Sequence, residues 1–329
     1  MKKSDTVVIG SRGSELAIWQ SRWVLNEIAK CNPHVECTIN IIKTTGDKIL
    51  DSPLSKIGDK GLFTREIERA LLDGSIDLAV HSLKDLPTEL PEGLMIGAIC
   101  KREDVRDVFL PHPANPRRKL LEQPNGAQIA TGSLRRKCQL LNLRPDFEVV
   151  DVRGNLNTRM KKLAESDWAG MVLARAGVVR LGWEDRIGET VDPETIMPAV
   201  GQGALGIEIR SGDEPIQTLV ALLSDTRTAQ ATMAERALLR RLEGGCQVPI
   251  GTYGRVEFSF GKMPVLKLDA FVGSLDGRTI VRGKIEGSPT QGEELGARLA
   301  EVLLHGGADK VLRQIRELSP KRGFEYIET

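Results

Sequence analysis

The sequence predicts an α/β protein made of two α/β domains and a small α+β domain at the C-terminal end. With 329 residues the chain exceeds a comfortable single core, so two or three domains are expected. Over the first two thirds, strand-like segments alternate with helical segments, which is typical of βαβ units around a mostly parallel sheet. In the last third, several strands precede the final helices, which favours an α+β arrangement.

The first domain begins with a predicted buried strand, "TVVIGS" (6–11), and Ser14 is suited to cap the helix that follows it. The next segments predict a strand, a helix and a strand: "CTINIIKTTG" (37–46), "LFTREIERALLDG" (62–74) and "IDLAVHSL" (76–83).

The same order restarts near residue 127. "AQIATGSLRRKCQLLNL" (127–143) and "FEVVDVRGNLNTRMKKLAES" (147–166) each predict a strand, a tight turn and a helix, and "GMVLARAG" (170–177) predicts another strand. In the last third we expect a helix over about 226–243, then three strands, then two helices. The three strands are "RVEFSF" (255–260), "VLKLDAFVGS" (265–274) and "RTIVRGKIEG" (278–287).

Composition excludes several classes of protein. The formal net charge is +1, so the chain lacks the broad positive field of a nucleic-acid binder, and no apolar stretch is long enough to span a membrane. The chain has four histidines and five cysteines without a CxxC pair, so neither a metal site nor a disulfide framework is expected. The N-terminal apolar run is too short for a signal peptide, so a cytoplasmic protein is expected.

Three strand-to-helix junctions combine small residues with arginine: "GSRGSE" (10–15), "ATGSLRRK" (130–137) and "DVRGNLNTR" (151–159). Helix N-termini present free N–H groups that attract carboxylate or phosphate, and arginine matches a carboxylate with its planar fork. Any one junction alone is more simply a capped helix with solvated arginines. Three of them in successive α/β domains favour a multi-point anion site between the domains. No nucleotide-binding glycine motif is present.

Three further segments could carry chemistry. "AVHSLKDLPTELP" (79–91) ends a buried strand with Ser82, Lys84 and Asp85; the alternative is a salt-bridged Lys-Asp turn. "KIGDKGLFTRE" (56–66) is a basic loop that could be a lid or an ordinary exposed loop. Cys246 follows a double-glycine helix stop, which favours a displayed thiol over a small buried core residue.

Together these segments resemble the porphobilinogen deaminase family, also called hydroxymethylbilane synthases. The resemblance runs nearly end to end and rests on motifs in one order. They are "GSRGSELAIWQ", "TTGDKILDSPLSKIGDKGLFTREIE", "DLAVHSLKDLP", "CKREDVRDVF", "TGSLRRKCQL", "VRGNLNTRMKKL", "AGVVRLG", "PAVGQGALGIE" and "ERALLRRLEGGCQVPIG".

The resemblance implies a dipyrromethane cofactor bound through Cys246, on which four porphobilinogen molecules are deaminated and joined before the bilane is released. It implies that Asp85 is catalytic and that Lys56, Lys60 and Phe63 belong to a mobile flap. It suggests a monomer, and from the composition we expect no metal, membrane or nucleic-acid partner. The residues implied to bind the cofactor and substrate carboxylates are Arg12, Ser14, Ser82, Lys84, Thr131, Ser133, Arg135, Arg136, Arg153, Arg159, Arg180, Gln202 and Arg236.

The implied fold has two periplasmic-binding-protein-like α/β domains joined by two crossover segments, and a third domain that carries the cysteine. We expect domain 1 at 1–103, completed by 204–223, domain 2 at 104–203 and domain 3 at 224–329.

Two positions depart from the family pattern. Gly132 stands where a serine is frequent, and Arg175 stands where a small or apolar residue is common. Arg175 could add a carboxylate contact or make only a surface salt bridge.

Two rival functions remain open at this point. A non-catalytic solute-binding protein would need neither a displayed cysteine nor a third domain. A DNA-binding regulator would need a helix-turn-helix, which the C-terminal third does not offer.

Overall fold

The computed structural model describes residues 6–48, 61, 63–242, 248–258, 260–261 and 263–318. Within them the strands are β1 (Thr6–Ser11), β2 (Glu36–Ile41), β3 (Leu78–Ser82), β4 (Leu94–Ile99), β5 (Asp107–Pro111), β6 (Gln128–Ala130), β7 (Glu148–Val150), β8 (Gly170–Ala174), β9 (Glu189–Val191), β10 (Leu205–Arg210), β11 (Ile250–Glu257), β12 (Val265–Gly273) and β13 (Ile280–Gly287).

The α-helices in the described residues are α1 (Glu15–Cys31), α2 (Thr45–Lys48), α3 (Arg65–Leu72), α4 (Leu134–Leu143), α5 (Leu156–Ala164), α6 (Arg175–Arg180), α7 (Glu214–Ala221), α8 (Thr226–Arg241), α9 (Gly292–Leu303) and α10 (Asp309–Leu318).

Two five-stranded sheets form the first two units. The first has the strand order β2-β1-β3-β10-β4, and the second has the order β7-β6-β8-β5-β9. In each sheet four strands run in the same direction, and the fourth strand in the order, β10 or β5, runs antiparallel to both of its neighbours. Parallel strands need crossover helices, and these helices bury apolar cores on both faces of each sheet.

The third unit is an antiparallel sheet, β11-β12-β13, whose one face packs on the last helices. Its core includes Leu238 of α8, Leu268 of β12 and Leu299 of α9, each fully buried. The predicted class, two α/β units followed by a small α+β unit, is therefore confirmed.

Two crossover segments connect the first two sheets. The chain leaves the first sheet after β4, and it returns to it only at β10, after the whole second sheet. The segments touch where Glu103 N donates to Gly203 O at 3.2 Å. Gly203 has a φ of +89°, and a Cβ there would lie 2.5 Å from the Glu103 carbonyl oxygen, so glycine is required. The exact bounds 1–103, 104–203, 204–223 and 224–329 stay a prediction.

Two predicted strands differ from the structure. The strand predicted over 170–177 ends at Ala174, because its partner β5 begins at Asp107 opposite Ala174, and α6 starts at the next residue. The strand predicted to begin at 255 begins at Ile250, five residues earlier. Ile250, Thr252 and Tyr253 favour a strand, and Gly254 lies against the Ala231 carbonyl oxygen, where a Cβ would come within 2.7 Å.

Candidate active site

A cavity of about 620 Å³ lies between the first two sheets, at the ends of their strands. The turn after β1 contributes Arg12 and Ser14, the end of β3 and the turn after it contribute Ser82, Lys84 and Asp85, and the segment after β7 contributes Arg153 to Arg159. Such convergence at carboxyl ends of parallel strands is where α/β sheets form ligand sites.

Two helix N-termini open into this cavity. Ser14 caps α1 by accepting a hydrogen bond from Ala17 N at 3.3 Å, and Asn155 caps α5 by accepting one from Thr158 N at 2.9 Å. The first turns of both helices line the cavity, so their positive dipole ends add to the charge of the side chains.

Positive charge dominates the lining. Asp85 is the only carboxylate among the described lining residues, against seven cations: Arg12, Lys43, Lys84, Arg136, Arg153, Arg159 and Arg180. Burial, together with Arg136 and Arg153 nearby, lowers the pKa of Arg159 to about 10. Burial also lowers the pKa of Lys84 and that of Arg180. Since each shift reports an unfavourable environment for positive charge, an anionic ligand would be stabilised here.

Asp85 has an exposed side chain that makes no hydrogen bond or ion pair with any described residue. Lys84 likewise forms no ion pair within the described part of the chain, so the alternative of a salt-bridged Lys-Asp turn is not observed. Behind them, Gln20 of α1 donates from Nε2 to Ser82 Oγ at 2.9 Å and fixes the start of the turn. The Asp85 carboxylate is therefore available to a molecule in the cavity.

A buried carboxylate, Asp107 of β5, supports the cavity from behind. Its Oδ2 accepts from Arg135 at 2.8 Å, and its Oδ1 accepts from Arg136 at 2.8 Å and from Gln202 at 2.8 Å. Burial opposes ionisation, but Arg135 and Arg136 outweigh it and hold the pKa of Asp107 well below its usual range. Asp107 therefore orients Arg136, which reaches the cavity, and Arg135, which does not.

Of the sequence-predicted site residues, ten line this cavity: Arg12, Phe63, Ser82, Ser14, Lys84, Asp85, Arg136, Arg153, Arg159 and Arg180. Five others do not line it: Thr131, Ser133, Arg135, Gln202 and Arg236. Lys56, Lys60 and Cys246 lie outside the described residues.

The residues away from the cavity have definite partners. Arg135 also donates to Met197 O, and Gln202 donates to Val105 O at 2.6 Å. Ser133 caps α4 through Arg136 N at 3.4 Å, and Thr131 Oγ1 accepts from Ser133 N. Arg236 of α8 donates to the carbonyl oxygens of Leu86 and Pro87, directly after Asp85. In this structure these side chains hold the elements that shape the site.

Sequence reasoning missed Gln20, Lys43, Asn155 and Asn157, which all line the cavity. Lys43 follows the end of β2, and Asn155 caps a helix at a junction already singled out, so the rules that found the neighbouring residues apply to both.

Phe63, the described member of the predicted flap, lies under the Arg12 guanidinium, with 4.2 Å from the Arg12 Cζ to the ring centroid. It also covers Gly46, where any side chain would collide with the ring. The Phe63 ring thus closes one side of the cavity.

The structure shows what surrounds Arg175 and Gly132, the two positions that depart from the family pattern. Arg175 Nε lies 3.5 Å from Asp104 Oδ2, and Arg175 does not line the cavity, so it makes a salt bridge. At Gly132 a Cβ would lie 2.6 Å from Val152 O, so glycine allows the turn after β6 to approach the segment after β7 closely.

Fold and site together define an α/β protein with a cationic cavity, suited to a small polyanionic ligand, between two sheets. Residues 7–218 match the family description "Porphobilinogen deaminase, dipyromethane cofactor binding domain", and residues 229–305 match "Porphobilinogen deaminase, C-terminal domain". The porphobilinogen deaminase of Chlorobaculum parvum is 52% identical to this chain, and the aligned region covers 96% of this chain and 99% of that protein. The porphobilinogen deaminase of Carboxydothermus hydrogenoformans is 51% identical, over 96% of this chain and 98% of that protein. The chain belongs to the porphobilinogen deaminase family.

Solved structures of binding proteins are also similar. The methionine-binding protein MetQ matches with a TM-score of 0.44 and 11% identity, over 70% of this chain and 91% of its own. A periplasmic binding protein of Salmonella typhimurium matches with a TM-score of 0.39 and 13% identity, over 66% of this chain and 91% of its own. Both scores are low, so the fold class rests on the sheets themselves.

Among the described residues, no group of histidine, cysteine, aspartate and glutamate side chains is arranged to hold a metal ion. The described helices include none that is both long and apolar enough to cross a bilayer.

We expect Asp107→Asn to destabilise the protein by about 3–5 kcal/mol, because it leaves two buried guanidinium groups with less compensating charge. Asp146→Asn is the matched control, since Asp146 also pairs with an arginine, Arg144, but at the surface. Urea unfolding of both variants measures the difference. Equal stability of the two variants would contradict the role given to Asp107.

The depressed pKa of Asp107 predicts that the stability of the folded protein depends on pH. Because the folded-state pKa of Asp107 is depressed, its contribution to stability is present above the ordinary aspartate pKa of about 4 and is lost as the pH falls further. The Asp107→Asn variant should therefore show a smaller loss of stability below about pH 4 than the wild type.

Proposed function

We propose that the chain is a hydroxymethylbilane synthase, a transferase of tetrapyrrole biosynthesis. It deaminates four porphobilinogen molecules, joins them head to tail on a dipyrromethane primer and releases hydroxymethylbilane by hydrolysis, with ammonia as the by-product. One observation carries the proposal: a cavity whose described lining has seven cations surrounds one unpaired carboxylate, Asp85. Family membership supports it independently.

The charge of the cavity suits pyrroles of this kind. Each porphobilinogen unit carries an acetate and a propionate, both ionised near neutral pH. A chain of such units gains negative charge with every addition, and arginine side chains bind carboxylates through two parallel hydrogen bonds. Arg12, Arg153 and Arg159 reach the cavity from both sheets, so carboxylates along an extended ligand would find partners on either side.

The cofactor fits the same lining. The desolvated cations Lys84, Arg159 and Arg180 favour a resident polyanion, as the lowered pKa of each indicates. When bound, dipyrromethane supplies the pyrrole carbon to which the first substrate unit is joined. We infer attachment through Cys246, which lies outside the described residues, five positions after α8 ends at Arg241.

Asp85 would act on the substrate. Its carboxylate is placed to accept the pyrrole N–H and to stabilise the cation that forms when ammonia departs. Lys84 and the arginines would hold the carboxylates meanwhile, so the reacting ring is oriented from several directions. The hydrogen bond from Gln20 to Ser82 would keep the turn that carries Asp85 in place.

The remaining site residues have supporting roles in this proposal. Thr131, Ser133, Arg135 and Gln202 would hold the turn and helix that present Arg136, and Arg236 would hold the segment after Asp85. Phe63, with Lys56 and Lys60, would form the flap over the cavity. The monomeric state and the cytoplasmic location stay predictions.

We expect the intact protein to be heavier than its sequence by the mass of two deaminated pyrrole units, because the primer is bound covalently. Mass spectrometry of the wild type and of Cys246→Ser measures this, in protein made by cells that produce porphobilinogen. The Cys246→Ser variant should have the mass of the bare chain. A wild-type protein with the bare mass would contradict the proposal.

We expect Asp85→Asn to lose several orders of magnitude in turnover, while Asp85→Glu retains more activity. Asparagine keeps the shape and a hydrogen-bond acceptor but loses the charge that stabilises the cation, whereas glutamate keeps the charge at a displaced position. The measurement is single-turnover ammonia release by variants first shown to be folded and to carry the cofactor. An asparagine variant at least as active as the glutamate variant would leave Asp85 with only a structural role.

A further inference from the structure

A hydrogen bond joins the first α/β unit to the second at the edge of the cavity. Asn157, in the first turn of α5, donates from Nδ2 to Glu15 Oε2 at 2.6 Å, and Glu15 is the first residue of α1. Asn157 lines the cavity and Glu15 does not, so the bond lies at the cavity rim. The bond therefore links the two units at a place separate from the crossover segments.

Apolar contacts beside this bond also bring the two units together. Leu16 of α1 and Leu156 of α5 both lie against Gly177 of α6. A Cβ on Gly177 would come within 3.1 Å of the Leu156 side chain and 3.7 Å of the Leu16 side chain. Glycine at this position therefore allows α1 and α6, which are in contact, to approach each other closely.

The tryptophan one turn further along α1 faces the second unit as well. The Arg180 Cζ lies 5.8 Å from the centroid of the Trp19 ring, a distance at which a cation is still attracted to the ring face. Because residues four apart lie on the same face of a helix, Glu15 and Trp19 present one side of α1 to α5 and α6. Trp19 is 37% exposed, so its environment changes if the units separate.

The charge of Glu15 suits its place between the units. The N-termini of α1 and α5 open into one cavity, and the Glu15 carboxylate lies in the first turn of α1 while it contacts the first turn of α5. Both positive dipole ends therefore stabilise it. A charge-assisted hydrogen bond is stronger than one between neutral groups, but this one is exposed, so it is weak enough to open.

We propose that Glu15 is a positioning residue, which through Asn157 holds the two α/β units closed around the cavity. Side chains that bind carboxylates in the proposed function flank both partners. Arg12 precedes Glu15 by three residues, and Arg153 and Arg159 lie on either side of Asn157. Closure therefore sets the distance between the carboxylate-binding groups of the two units, so that an extended ligand meets them already in place.

The first test reports the contact without any reaction. The cofactor-bearing protein is labelled with fluorotryptophan, and the fluorine NMR signal of Trp19, one of four tryptophans, is assigned with Trp19→Phe. The change of this signal between light and heavy water measures how far the ring is exposed to solvent. We expect Asn157→Ala to increase that change, because the units separate and the ring loses its cover from Arg180. Since Asn157 belongs to the other unit, a local change in α1 does not explain this result.

Glu15→Ala should have the same effect on the Trp19 signal. Glu27→Ala is the matched control, because Glu27 is also a glutamate of α1 that accepts a hydrogen bond at 2.6 Å, but from Lys30 of the same helix. The control should leave the Trp19 signal as in the wild type. Glu15→Gln keeps an acceptor for Asn157 but lacks the charge, so it should give a smaller change than Glu15→Ala.

The second test measures the kinetics with porphobilinogen and rests on the proposed function. Glu15→Ala should raise KM by about two- to tenfold, because the closed form that binds the substrate is less populated, while kcat changes less. Glu27→Ala should keep the KM of the wild type. In the Asn157→Ala background, Glu15→Ala should raise KM no further, because the two residues act through one contact.

The outcomes separate the two proposals. A Trp19 signal that is equally exposed in the wild type, Glu15→Ala and Asn157→Ala overturns the closing contact, whether or not the protein makes bilane. Increased exposure of Trp19 with an unchanged KM in Glu15→Ala overturns the positioning role, and so does an equal rise of KM in the Asn157→Ala background. If Glu15→Ala does not fold, Asn157→Ala and Glu15→Gln still decide the first point. Failure of every protein, the wild type included, to consume porphobilinogen overturns the proposed function alone.

Discussion

Buried positive charge is the constraint on which the rest of this structure depends. Arginines gathered between two sheets destabilise the folded protein unless negative charge compensates them. Asp107 provides that charge from behind, for Arg135 and Arg136, and it is itself fully buried. On the cavity side, Arg159 and Arg180 have no such carboxylate bound to them within the described residues. The fold therefore leaves charge that a polyanionic ligand would neutralise, and this links the stability of the protein to what it binds.

A second buried ion pair joins the third unit to the first two. Arg102, on one crossover segment, contacts both carboxylate oxygens of Glu235 in α8, at 2.7 and 3.1 Å. Glu235 also accepts from Gly201 N of the other crossover at 2.6 Å and from Gly254 N of β11 at 2.7 Å. One carboxylate thus ties both crossover segments to the helix that leads towards Cys246. This contact holds α8 in a fixed position relative to both crossover segments.

Much of the fold and part of the site could be predicted from the sequence. Strand-to-helix junctions identified Arg12, Ser14 and the segment 153–159, because the carboxyl ends of parallel strands converge whatever the detailed packing. The same rule does not separate Arg135 from Arg136, since neighbouring positions on α4 point in different directions and tertiary packing decides which one reaches the cavity. Gln20 was missed because it lies in the middle of a helix. The buried contact between His81 and Glu208 joins residues far apart in the chain, and only the register of β3 with β10 brings them together.

The most direct test of the central claim is incubation of the purified, cofactor-bearing protein with porphobilinogen, following ammonia and bilane together. The account predicts that the protein consumes porphobilinogen, releases one ammonia for each molecule consumed and yields one hydroxymethylbilane for every four. Binding of porphobilinogen without release of ammonia would instead identify a solute-binding protein with the same architecture. That result would contradict the assignment of the cationic cavity and Asp85 to catalysis.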